Sequence, residues 1–207
     1  MMKEEIIHSI FSTPIYISKL NRELTSQELK FIEENKKLFL KNECNISSKN
    51  NYILNEKPFL NLKKELDLKV KNYFEKVISP ANNIIPYITQ SWLNYTETNQ
   101  YHHKHEHPNS LVSGVFYINC HEELDKIKFF KKDIYQTIKP EIKNWNVWNS
   151  EAWSFVVKTQ DIIMFPSSLT HMVENKEGTN TRISLAFNVF IKGTVGDEEN
   201  LTKLVLK

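Results

Sequence analysis

The first eighty positions and the rest of the chain follow different hydrophobic periods. Near the start, "IFSTPIYISKL" has the β-branched and aromatic content of a short strand. Thr25 and Glu28 then form the spacing of a capping box in front of "LKFIEENKKLFLKN". There Leu29, Ile32, Leu38 and Leu40 predict an amphipathic helix. A second helix is predicted over 59–77, with Leu60, Leu62, Leu66, Val70, Tyr73 and Phe74 as its apolar stripe and Pro80 as its stop. Beyond Pro80 the helical period fades. The segments "IIPYITQSWLNYTE", "LVSGVFYINC", "DKIKFFKK", "AWSFVVKT", "QDIIMFP", "THMVEN" and "RISLAFNVFIKG" are short, rich in β-branched and aromatic residues, and separated by turn formers. The pattern predicts a mainly β sandwich or barrel with N-terminal helices. The stretch 136–150 is irregular, and no internal repeat or low-complexity tract interrupts the chain.

Composition narrows this to one unit. With 207 residues, 40% of them hydrophobic, there is apolar material for a single substantial core, so one domain over 1–207 is expected. Residues 1–80 form its helical support and 81–207 its β core. A formal charge of +2, without a block of like charge, gives no indication of nucleic acid binding. Cys44 and Cys120 lie far apart and lack metal-ligand spacing, which fits a reducing compartment. Acidic residues at the start, Pro14, and the lack of an apolar run of about 18 residues speak against a signal peptide or a membrane span. A cytoplasmic location is expected, and a homodimer is compatible with the sequence.

Against that background the stretch "YHHKHEHPNSLVSGVFYIN" stands out. His105 and His107 precede an apolar strand, and residues two apart in extended chain point the same way, so both rings can meet one ion. Glu106 then points to the other face, with His103 on the pair's face one step further out. His171 follows a strand and a Phe-Pro turn, where it is placed to be a remote third ligand. Eleven residues later, "TRISLAFNVF" puts Arg182, Ser184, Ala186 and Asn188 on one face, opposite Ile183, Leu185 and Phe187. A buried guanidinium without a partner costs about 3–5 kcal/mol, so Arg182 should meet a carboxylate; a bidentate clamp on an acidic ligand answers that need.

Together these motifs resemble the Fe(II)- and 2-oxoglutarate-dependent oxygenases, and more closely a family of oxygenases of about this length. "HEHPNSLVSGVFY", "FPSSLTH", "RISLAFN" and the opening "FSTPI" match that family's motifs, so the resemblance covers most of the chain. It implies a double-stranded β-helix, a jelly roll of the cupin-like kind. It also implies Fe(II) held by His105, His107 and His171, with O2 as oxidant and 2-oxoglutarate as cosubstrate. Arg182 and Ser184 would hold the distal carboxylate of 2-oxoglutarate. "YIN" resembles the "YLN" of prolyl-hydroxylase-like enzymes, which brings in Tyr117, and Tyr95, ten residues before His105, stands where such enzymes often carry another cosubstrate tyrosine. The implied reaction is hydroxylation of an unidentified substrate, a small molecule or a protein side chain, with release of succinate and CO2.

The chain departs from the superfamily at His107, where most relatives carry a carboxylate that completes the facial triad of non-haem iron. If the strand bulges there, Glu106 is the alternative ligand. Two other function classes stay open at this level: a three-histidine cupin-like dioxygenase that needs no 2-oxoglutarate, and a non-catalytic metal-binding jelly roll. His8, His102, His103 and His121 are expected at the surface or behind the ligands. Trp92 and Asn94 share a strand face that would line the pocket. The N-terminal helices and the segment 136–153 are expected to shape the entrance.

Overall fold

The computed structural model describes residues 5–132, 138 and 140–207. It begins with strand β1 (Tyr16–Lys19), helix α1 (Ser26–Lys36) and two short strands, β2 (Phe39–Lys41) and β3 (Ile46–Ser48). Two 3-10 turns lead into helix α2 (Leu60–Tyr73), which ends in a π-turn over Phe74–Ile78. The β region holds β4 (Ile84–Thr96), β5 (His102–His105), β6 (Val112–Asn119), β7 (Lys126–Phe130), β8 (Ala152–Val156), β9 (Asp161–Pro166), β10 (His171–Val173), β11 (Arg182–Val195) and β12 (Leu204–Leu206).

The capping box forms as expected. Glu28 N donates to Thr25 Oγ1 at 3.2 Å and Thr25 N donates to Glu28 Oε2 at 2.7 Å, satisfying two amides that a helix start leaves unpaired. The helix is shorter than its apolar pattern, however. It ends at Lys36, and Leu38 and Leu40 are exposed beside or within the edge strand β2, which pairs with β3 from Phe39↔Ser48 to Lys41↔Ile46. Sheet pairing satisfies these backbone groups, and the helix meets the core through buried Ile32 and half-buried Phe31. Helix α2 buries Leu62, Leu66, Val70 and Tyr73, as its stripe predicts, while Leu60 is exposed.

Two antiparallel sheets make the double-stranded β-helix. The larger runs β1-β9-β6-β11-β4-β3-β2, with β12 added beside β11; the smaller runs β5-β10-β7-β8. Alternation along the central strands sorts residues to two sides. Leu93, Leu185 and Phe187 join Leu62, Leu66 and Val70 in a core under the helices. Tyr117, Ile127, Phe129, Ile163 and Phe165 form a second core between the sheets. The helices therefore back the larger sheet on the side away from the inter-sheet space, which corrects the expectation that they shape an entrance. Of the 136–153 segment, Gln136, Thr137 and Lys139 lie outside the described residues.

One glycine is required by close approach. A Cβ at Gly114 would lie 2.1 Å from the ring of Phe187, its partner across the β6–β11 pair. The ring therefore packs over the bare backbone.

Candidate metal and cosubstrate site

The smaller sheet brings the histidines together. His105 closes β5, His171 opens β10, and the two are direct partners in the antiparallel register. His107 lies two residues past β5, where its amide donates to Ser167 O at 3.0 Å. Ring centroids are 4.3 Å apart for His105–His171, 4.8 Å for His105–His107 and 5.1 Å for His107–His171. One ligand nitrogen from each lies within 4.8 Å of the others.

Backbone carbonyls orient two of these rings. His105 Nδ1 lies 2.8 Å from His103 O, and His171 Nδ1 lies 3.0 Å from Leu169 O. A carbonyl only accepts, so both Nδ1 atoms carry the proton and both Nε2 lone pairs are left for a metal. Burial, followed by the neighbouring His105, lowers His107 to about 4 and His171 to about 3; burial also lowers His105. All three are therefore neutral near pH 7, the form that ligates. A donor set of three neutral imidazoles fits iron, zinc, copper or nickel by ligand chemistry.

Glu106 turns the other way. Its Oε1 accepts from Thr170 Oγ1 and its Oε2 lies 4.0 Å from Lys132 Nζ, on an exposed side. The alternation expected from extended chain thus places His107, and not Glu106, beside His105.

His102 stands behind the ligands, one of the two placements expected of it. It lines the cavity, its ring centroid is 4.6 Å from that of His105, and its Nδ1 is 3.2 Å from Asn45 Nδ2. Burial above all lowers it to about 3. With His103 and His105 it makes a second group of close ligand atoms, but His105 has a single free nitrogen, so the two groups cannot be filled together. His103 also faces Glu43 at 3.4 Å.

The other wall of the cavity comes from the larger sheet. Arg182, Ser184 and Tyr117 all line it, and Ser184 pairs with Tyr117 across β11–β6. Arg182 is only 3% exposed, and its Nη1 donates to Asp125 Oδ1 at 3.2 Å. The carboxylate that a buried arginine demands is thus supplied in part by the chain itself. Asp125 was not among the expected site residues; its one sequence signal is an acid opening the apolar strand "DKIKFF". Burial raises the Tyr117 hydroxyl well above its ordinary range, so it stays protonated and can donate. Trp92 and Asn94 line the cavity as expected.

Tyr95 does not reach this site. It projects from β4 to the opposite side, is fully buried under the helices, and donates its hydroxyl to Ile32 O at 2.7 Å. Strand alternation is the reason, because Tyr95 lies between Asn94 and Thr96, both of which face the cavity. Tyr95→Phe should cost about 1 kcal/mol of stability in chemical denaturation while leaving 2-oxoglutarate affinity unchanged; a loss of affinity would return this tyrosine to the site.

The jelly roll, its three-histidine cluster and the buried arginine opposite match the arrangement that the resemblance to 2-oxoglutarate- and iron(II)-dependent oxygenases implies. Residues 90–188, just under half of the chain, match the model of the family described as "Putative 2OG-Fe(II) oxygenase". The matched segment holds all three histidines, Arg182 and Ser184. Among solved structures, the chain is similar to a 2OG-Fe(II) oxygenase family oxidoreductase from Burkholderia pseudomallei, at 11% identity and TM-score 0.56, covering 84% of this chain and 83% of that one. HygX from Streptomyces hygroscopicus, with nickel, 2-oxoglutarate and hygromycin B bound, is similar at 11% identity and TM-score 0.54, covering 86% and 82%. A prolyl-4-hydroxylase from Pseudomonas putida is similar at 10% identity and TM-score 0.53, covering 86% and 93%. No curated protein matches. Among the described residues no helix is long and apolar enough to cross a membrane.

Proposed function

We propose that His105, His107 and His171 hold Fe(II), and that Arg182, Ser184 and Tyr117 receive the distal carboxylate of 2-oxoglutarate. The observation that carries this reading is the opposition of two walls in one cavity. The neutral imidazoles lie on the smaller sheet and its flank, while the cationic and hydroxyl donors lie on β6 and β11 of the larger one. A dicarboxylic keto acid has a chelating end and an anionic end, and this cavity offers a partner for each. Bound iron supplies the oxidising chemistry with O2.

The chain's own groups bind and orient. The protonated Tyr117 hydroxyl and Ser184 Oγ are donors suited to a carboxylate, and Arg182 adds charge. Phe165 stacks edge-on to His171 at 4.6 Å, and Phe129 lies beside it at 6.2 Å. These rings exclude water from the rear of the ligand set and hold its orientation.

The proposed reaction is hydroxylation of a small molecule or a protein side chain, by one domain spanning 1–207 and working in the cytoplasm. Anaerobic addition of 2-oxoglutarate to the Fe(II)-loaded protein should produce the weak visible charge-transfer band of a chelated keto acid. Admission of oxygen should then release succinate. A three-histidine dioxygenase that needs no keto acid, or a module without turnover, gives neither signal, so their absence at saturating Fe(II) would sink the proposal.

A further inference from the structure

The charge count around Arg182 does not balance. The buried carboxylates, lysines and arginines among the described residues are Glu28, Asp125, Asp161, Lys176 and Arg182. Glu28 has Arg22 at 2.7 Å, and Asp161 has Lys19 at 3.9 Å. That leaves Arg182 and Lys176 sharing one carboxylate: Asp125 Oδ1 is 3.2 Å from Arg182 Nη1 and 3.9 Å from Lys176 Nζ. Glu97 also feels the charge of Lys176, but it lies nearer the surface and is hydrogen-bonded by Lys36 at 3.0 Å and by Thr181.

The group is built, not incidental. Lys176 is 1% exposed, and its Nζ donates to Glu177 O at 2.7 Å and to Asn180 Oδ1 at 2.8 Å. Asp125 is also 1% exposed, and its Oδ2 accepts from His121 N at 2.8 Å. These bonds hold two cations and one anion in fixed positions where solvent ions cannot screen them. The excess positive charge borders the cavity through Arg182, and no Asp or Glu lines that cavity among the described residues. Uncompensated buried charge is unfavourable, and one further carboxylate entering the cavity would remove the imbalance.

We propose that Lys176 and Asp125, which lie behind Arg182, set the selectivity of this pocket for a dicarboxylic over a monocarboxylic 2-oxo acid. The inference rests on the oxygenase reading and goes beyond it, because it assigns the preference to the net charge of a buried triad and to two residues outside the cavity wall. Lys176 acts at a distance through charge, and Asp125 limits the excess to one unit while orienting the guanidinium.

The test compares 2-oxoglutarate with 2-oxopentanoate, which has the same chelating end but a methyl group in place of the distal carboxylate. Binding of each to the full chain loaded with Mn(II) is measured by calorimetry, with melting temperature as a check on folding. Lys176→Gln keeps hydrogen-bonding atoms but loses the charge; it should weaken 2-oxoglutarate by about tenfold and leave 2-oxopentanoate within about twofold. Asp125→Asn raises the excess charge and should shift the ratio the opposite way, by severalfold, so the inference remains decidable if one variant fails to fold. Equal losses for both acids, or an unchanged ratio in the folded variants, would overturn it. A wild-type chain that binds the two acids alike would instead overturn the cosubstrate reading, and this inference with it.

Discussion

His107→Ala should lose metal affinity by more than the about 10- to 100-fold that removal of an outer-shell partner costs, whereas Glu106→Gln should change it by no more than about threefold. The geometry gives the reason. His107 has a ligand atom within 4.8 Å of those of His105 and His171, while Glu106 is held on the exposed side by Thr170 and approached by Lys132. A carboxylate on that side contributes only screened attraction to an ion in the cavity. Anaerobic titration of Fe(II) or Mn(II) into both variants measures the difference. Full affinity in His107→Ala, or a sharp loss in Glu106→Gln, would remove the three-histidine assignment. A ligand set without a carboxylate also leaves one less negative charge at the metal than the usual facial triad does, which should slow oxygen activation relative to enzymes that carry one.

Arg182→Ala should weaken 2-oxoglutarate by roughly ten- to hundredfold while Mn(II) still binds, because each charge-assisted hydrogen bond lost is worth about 1.5–3 kcal/mol. Lysine should rescue poorly, since it lacks the planar fork. The same substitution removes the 3.2 Å hydrogen bond to buried Asp125, which keeps Lys176 at 3.9 Å, so a fall in stability of about 1.5–3 kcal/mol should accompany it. Calorimetry at a temperature where the variant is folded separates the two effects. Unchanged affinity there would leave the oxygenase reading without its cosubstrate anchor.

Which residues share a face at this cavity is legible in the sequence. Residues two apart in extended chain share a face, and this places His105 and His107 together and Glu106 away from them without reference to any other element. Alternation in "TRISLAFNVF" likewise separates Arg182 and Ser184 from Ile183, Leu185 and Phe187, and the structure puts the first pair at the cavity and the other three in the core under the helices. The same rule applied to "WLNYT" excludes Tyr95 once Trp92 and Asn94 are taken as cavity residues. The resemblance to known enzymes had pointed to it by position in sequence, and the strand's period overrides that.

What the chain determined by itself was therefore local: the period of each element, the capping box of α1, and which residues of one strand share a side. Tertiary structure decided what depends on pairing between distant segments. Leu38 and Leu40 leave the helix because β2 finds β3 as a partner, an option that no helical periodicity reports. His102 reaches the cavity because the antiparallel register of β5 and β10 brings it to Val173, and Asn45 meets it from the far end of the other sheet. Asp125 lies 57 positions from Arg182 in sequence, and only the folded sheets bring its carboxylate to the guanidinium and place Lys176 beside both. Ion pairs of this kind depend on distances of a few ångströms between separate strands, and such distances follow from sheet register and packing, not from the spacing of residues along the chain.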